Sequence, residues 1–255
     1  MSLSSAAAIG TPYCRLSRND GYNRRINSSW LHSLDLEGNT LAEFKSSDGE
    51  ATSNGGAVSI ARTGDDFAHH WAAGYDGRVY VAGRQHAYEI EVFTPDGELE
   101  RVISVAYEPV KRTAEEIKAI EEERASLSFN GVQADLGEID PYLRDIQSLH
   151  PRPDGSLWVR SSRAMRDQPE GTVGAFDVFD RDGKFVRRVA VDVPFDPDYD
   201  EWRLVGDRLY VLQENLNAPE QNGFGGGGAM VVRLGGRPKP ADDDDREPQP
   251  FAVIC

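Results

Sequence analysis

From Gly74 to Val105 short apolar runs alternate with polar positions, and Asp-Gly pairs punctuate them. Val79-Tyr80-Val81 follows Asp76-Gly77, and Ile90 to Phe93 precedes Asp96-Gly97. Asp-Gly between alternating runs is a strong hairpin signal, because glycine accepts the positive φ that a tight turn demands. The spacing therefore predicts four antiparallel strands. An inner pair lies near 67–73 and 78–82, and an outer pair near 88–93 and 99–105.

The unit recurs. Between Ile146 and Val193, Asp154-Gly155 turns an inner pair whose Leu157-Trp158-Val159 matches Val79-Tyr80-Val81. Phe176 to Phe179, Arg181-Asp182-Gly183 and Phe185 to Val189 match the outer pair. A third unit opens near Glu201, turns at Val205-Gly206-Asp207 and enters Arg208 to Leu212. Its expected later strand is Met230 to Leu234, after the glycine-rich loop Gly223 to Gly228. Upstream, Trp30 to Phe44 reads as an outer pair alone, turning at Gly38. Residues 1–30 carry no clear period and read as loop or weak strand. Residues 45–57 are polar and glycine-rich and read as loop, with a short strand over 58–62.

One helix interrupts the repeat. Thr113 stands three residues before Glu116, a capping-box spacing, and Ala114 to Ala125 is rich in Glu, Lys and Ala. Its few apolar positions, Ile117 and Ile120, place it on a surface. Asp140 to Leu143 is expected to start a second short helical turn, and residues 161–172 to form a loop. From Gly235 the prolines and Asp242 to Asp245 predict a disordered acidic tail.

Recurring four-stranded units indicate an all-β chain: a partial or degenerate β-propeller of antiparallel blades, about three to four in number, with a helical insertion near 113–145 between two of them. A β-sandwich would need no repeat. The three divisions are a poorly defined segment over 1–30, the blades over 31–234, and the tail over 235–255.

The motif Val79-Tyr80-Val81, with Ile90-Glu91-Val92-Phe93 and Pro95-Asp96-Gly97, resembles the NHL-like six-bladed β-propeller proteins of bacteria. Ala106-Tyr107-Glu108-Pro109-Val110 and the Glu-rich helix resemble one subgroup, mostly uncharacterised, with a helical insertion near the C-terminus. The resemblance covers roughly residues 31 to 234. It implies six blades and, usually, an export signal. Fewer blades are legible here and no such signal is, so three expectations stand side by side: an N-terminally truncated propeller, a dimer in which a second copy closes the ring, or weak blades hidden within residues 1–66. The resemblance leaves the compartment open. Some six-bladed relatives are lyases or hydrolases with a metal at the axis, which is the competing functional expectation, as is a fragment without independent function.

Composition narrows the partners. The chain has 255 residues and a net charge of -15, which disfavours nucleic acid and anionic membrane surfaces through repulsion. Cys14 and Cys255 have no CxxC partner, and whether they pair is open. No phosphate loop, nucleophile elbow or calcium loop is present, so no cofactor, metal or catalytic residue is assigned.

The repeat also fixes faces. The tight turns all join first to second and third to fourth strands, so they share one face. The long connections, 106–145, 161–172 and 213–228, share the other. Insertions gathered on one face of a repeat protein point to binding there. The ligand-binding candidates are His69 and His70, Arg84 and His86 beside Gln85, His150, and Arg163 beside Arg160. The histidines read either as metal or acid–base groups or as surface and packed residues. The expectation is a scaffold that binds a protein, peptide or small ligand near the channel mouth.

Overall fold

The computed structural model describes residues 13–19, 22–54, 57–61, 67, 70–126, 128–129, 132–133, 137–167, 172–196 and 200–212. Among these, the strands form three four-stranded and two two-stranded antiparallel sheets. Sheet I pairs β1 (Tyr13–Asn19), β2 (Tyr22–Leu34), β3 (Thr40–Asn54) and β4 (Ala57–Ala61) in chain order. Sheet II does the same with β5 (Trp71–Ala73), β6 (Val79–Val81), β7 (Glu89–Phe93) and β8 (Leu99–Ser104). The helix α1 (Ala114–Ser126) and a small hairpin, β9 (Ser128–Phe129) with β10 (Val132–Gln133), follow. Sheet III is β11 (Ile146–Pro151), β12 (Leu157–Ser161), β13 (Thr172–Phe179) and β14 (Phe185–Pro194), with α2 (Ser162–Arg166) between its second and third strands. Sheet IV pairs β15 (Glu201–Val205) with β16 (Arg208–Leu212). The fold is all-β and propeller-like, a partial series of stacked meanders. No described helix is long and apolar enough to cross a membrane.

Three apolar seams join the sheets face to face. Leu31, Ala42 and Phe44 of sheet I meet Val79, Val81 and Phe93 of sheet II, with Phe67 at the same seam. The opposite face of sheet II, with Tyr80, Ile90, Val92 and Ile103, meets Ile146, Leu157, Val159 and Phe179 of sheet III. On the far side of sheet III, Val173 and Phe176 meet Trp202 and Val211 of sheet IV, and Trp158 joins them. Side chains alternate across a strand, so β6 sends its valines one way and Tyr80 the other. That is why Val-Tyr-Val and Leu-Trp-Val are apolar throughout: β6 is buried on both faces, and β12 is buried on one face and half-buried on the other.

Two glycines show how closely the sheets stack. Gly97, at φ 88°, lies so near sheet I that an added Cβ would stand 2.6 Å from the Glu43 carbonyl oxygen. Gly183, at φ 80°, meets sheet II in the same way, 2.8 Å from Ile103 Cγ1. Both positions need the left-handed backbone and the missing side chain together. Gly38 is their counterpart in sheet I and has nothing within 4 Å.

The helix is capped as its spacing predicts. Glu116 N donates to Thr113 Oγ1 at 3.2 Å, and Thr113 N donates to Glu116 Oε2 at 2.7 Å.

Three expectations are corrected, and one reading left open is decided. Residues 45–54 are not loop: β3 runs on through them, because Ser46 to Ser53 pair with Trp30 back to Asn23. Within 1–30, read as loop or weak strand, residues 13–19 and 22–30 are strand, laddered to one another, with the second also laddered to β3. Asp140 to Leu143 starts no helix. Tyr142 instead forms a bridge with Lys111, Arg112 N donates to the Pro141 carbonyl at 2.9 Å, and Leu143 N donates to the Val110 carbonyl at 2.8 Å. The two ends of the helical insertion are thus zipped at its base. Finally, 161–172 is partly helical, with Ser161 capping α2 by accepting from Ala164 N at 3.2 Å. The strand expected over 230–234, the glycine loop, the acidic tail and Cys255 lie outside the described residues.

Candidate functional site

The turns at 74–77, 94–97, 152–155 and 180–183 lie at one end of the sheets. The described parts of the connections after β6, β8 and β12, which are 82–88, 105–126, 137–145 and 162–167, leave the other end, and most of the predicted site residues lie there. His69 lies outside the described residues. His70 directly precedes β5, and its carbonyl accepts from Ala82 N at 2.8 Å. Arg84 is exposed and reaches Glu89 at 3.0 Å.

His86 is tied to a residue that sequence reasoning did not select. Asp140 Oδ2 lies 2.6 Å from His86 Nε2 and accepts from Gln85 Nε2 at 2.7 Å, while its Oδ1 accepts from Tyr142 N at 2.9 Å. Nearby, the Arg144 guanidinium donates to the Ala82 carbonyl, and Asp145 N donates to the Gln85 carbonyl at 2.9 Å. The loop of sheet II between β6 and β7 is therefore grasped by the end of the insertion, just before β11 begins. Asp145 is 1% exposed and its Oδ1 has no hydrogen-bond partner. Burial pushes its carboxyl above the usual range, against the opposing pull of His86 and Arg144.

Arg163 is the second anchor. It lies in α2, its backbone N donates to Tyr107 Oη at 2.7 Å, and its guanidinium stacks 5.2 Å over the Tyr107 ring. Its Nη2 donates to the Glu108 carbonyl at 3.2 Å. Tyr107 Oη also shares a 2.7 Å hydrogen bond with Ser162 Oγ. Arg166 of the same helix reaches Glu116 of α1 at 2.8 Å. Beneath them, Asp177 accepts from Tyr88 Oη at 3.1 Å, Ser161 Oγ at 3.2 Å and Arg188 Nε at 2.8 Å. Burial, and then the Asp177 charge, push the Tyr88 phenol far above its ordinary range. These groups hold one another, and each described hydroxyl or carboxylate named in them except Asp145 has its acceptor or donor.

His150 does not join this end. It lies on β11 near the tight turn 152–155, packed 5.1 Å from the Trp202 ring and 5.8 Å from Phe176, with its Nε2 2.8 Å from Ser148 Oγ. Burial, with Arg160 and Arg152 nearby, pulls its pKa down to about 4, so the ring is neutral at pH 7. It also borders a cavity of about 260 Å³ that opens at the tight-turn end, between Ala73 and Tyr75 of sheet II, Leu149 and Pro151 of sheet III, and Leu204 of sheet IV. Tyr75 Oη accepts from Gly206 N there at 2.8 Å, which links the inner turns of sheets II and IV across sheet III.

Among the described residues no three His, Cys, Asp or Glu side chains gather as a metal-binding group. Comparison of the chain with family models, curated proteins and solved structures returns no match.

Proposed function

We propose that the chain is a propeller-like binding scaffold, and that a partner protein or peptide docks on the end that carries the long connections. One observation carries this reading: the insertion, α2 and the loop of sheet II are lashed to one another by Asp140, Arg163 and Arg166. Side chains engaged in this way build a rigid surface, and rigid surfaces bind at low ordering cost. Residues 106–145 contain ten Asp or Glu against five Lys or Arg. This excess favours a basic partner, drawn by long-range attraction.

The test compares the two ends. Glu121, Glu122 and Glu123 changed together to lysine should weaken a partner recovered from the native host by about tenfold or more. The same charge change at Asp96, Glu98 and Asp182 on the tight-turn end should leave it within about twofold. The reverse ranking rejects the docking face. Stoichiometric bound metal that disappears with His86→Ala favours the lyase or hydrolase alternative and rejects the scaffold.

A second copy is proposed as a further partner for sheet I. Leu36 and Leu41 are 88% and 59% exposed on it, and Gly38 meets open space where Gly97 and Gly183 meet a neighbouring sheet.

A further inference from the structure

Among the described residues, the seam between sheets III and IV contains a cation without an anion. Arg160 lies on β12 opposite Ser148 of β11, and like Trp158 it points toward sheet IV. Its guanidinium stacks 5.3 Å over the Trp202 ring, and Nη2 donates to the Val173 carbonyl at 3.0 Å. Its Nε is buried and has no acceptor. Trp202 is 8% exposed, and its Nε1 is likewise buried and without an acceptor. No described carboxylate pairs with Arg160, whereas Arg78, Arg166 and Arg188 each hold one. Burial alone draws the Arg160 pKa down to about 10.

Two orphaned donors stacked together are unusual, since buried polar groups in folded proteins are almost always satisfied. The groups around them do not cure the deficit. Ser148 Oγ and His150 Nε2 bond to each other, and neither is an anion. The repeat does not demand an arginine here either. Val79-Tyr80-Val81 aligns with Leu157-Trp158-Val159, so the equivalent residue in sheet II is Ala82. Arg160 and Trp202 therefore place two unsatisfied donors and one positive charge side by side in the seam, two residues before α2 begins and beneath the connection-bearing end.

We propose that this seam binds a carboxylate, whose oxygens accept from Arg160 Nε and Trp202 Nε1. A planar oxyanion suits the guanidinium fork, and the indole N–H supplies a donor that adds direction without further charge. The proposal is independent of the docking reading above, because it concerns the interior of one seam and not the surface of the insertion.

Either a free small acid or the glutamate side chain of a partner would supply this group. Thermal unfolding and tryptophan fluorescence of the full chain distinguish them. The probes are sodium acetate against sodium chloride at constant ionic strength, and a blocked peptide with one glutamate against its glutamine counterpart. A saturable, acetate-specific rise in Tm identifies the free acid, and a rise with the glutamate peptide alone identifies the side chain. In either case Arg160→Gln should weaken the apparent affinity by about tenfold or more, and Trp202→Phe, which keeps the ring and removes only the N–H, by about threefold. Should Arg160→Gln fail to fold, Arg160→Lys retains the charge, loses the fork and should still bind more weakly. The proposal is overturned if neither probe shifts the wild-type chain, or if the shift persists in the Arg160 variants.

Discussion

His150 shows why a residue's chemistry cannot be read without its neighbours. In the sequence it is a lone histidine at the end of an inner strand, open to a metal, proton-transfer or packing role. Sheet IV decides among these by laying Trp202 over it and holding it neutral. Its folded pKa of about 4 lies below the ordinary 6.5. The unfolded chain therefore takes up the proton first. The stabilisation from a neutral His150 is complete above about pH 6.5 and is lost as the pH falls toward 4, by about 3 kcal/mol at most. His150→Phe should flatten the stability–pH curve over that window while leaving the carboxylate-driven loss at lower pH. Denaturant unfolding at pH 7, 5.5 and 4 measures it, and parallel curves for the two proteins would refute it. The Asp-Gly turns stand at the other extreme. Their geometry is local, so Gly77, Gly97, Gly155 and Gly183 were each legible as turn residues, and all four have positive φ. The clash that also forbids a Cβ at Gly97 and Gly183 was not legible, because the atoms in the way belong to the preceding sheet.

At the scale of elements, legibility follows the range of the forces. The helix α1 carries its own signal in Thr113 and Glu116, three residues apart, and forms with that capping box. The β3 extension carries none. Ser46 to Ser53 are polar apart from Gly49 and Ala51, and they become strand only because β2 offers a partner ladder. The latch of the insertion was hidden for the same reason, since Asp140 stands 54 residues from His86. Asp-Pro suggested a helix start, but three-way acceptance from Gln85, His86 and Tyr142 uses that carboxylate as a clasp. Asp140→Ala should loosen both ends of the clasp. Amide exchange should accelerate in 83–88 and 139–143 and remain unchanged in β12 and β13, where the core is independent of it. His86 and Asp140 are 39% and 34% exposed, so solvent screens the pair and the global cost should be only about 1 kcal/mol. Unchanged exchange in both segments would show that the insertion is held by other contacts.

Across the whole molecule, the stacking logic is the same at each described seam, and among the described residues no further sheet covers the outer face of sheet I. An inner sheet buries both faces. Sheet II does so between sheets I and III, and sheet III between sheets II and IV. In β3, Ala42 and Phe44 turn inward to sheet II while Leu41 and Glu43 turn outward, and Leu41 is 59% exposed. Apolar positions on a free sheet face favour association. The strongest prediction at this scale is that two copies meet through sheet I. Light scattering after size exclusion should then give a dimer at micromolar concentration. Leu41→Asp should shift it to monomer by placing a charge at the contact, with an unchanged circular-dichroism spectrum because Leu41 belongs to none of the described seams. Gly38→Ala provides a finer probe. With space around it in one copy, the added methyl costs only the strain of positive φ in a monomer. In a dimer packed there as sheet II packs on Gly183, it would also weaken dimerisation, and the midpoint concentration would rise. A wild-type chain that remains monomeric at tens of micromolar, or a Leu41→Asp variant that remains dimeric, excludes this contact and leaves sheet I a free end.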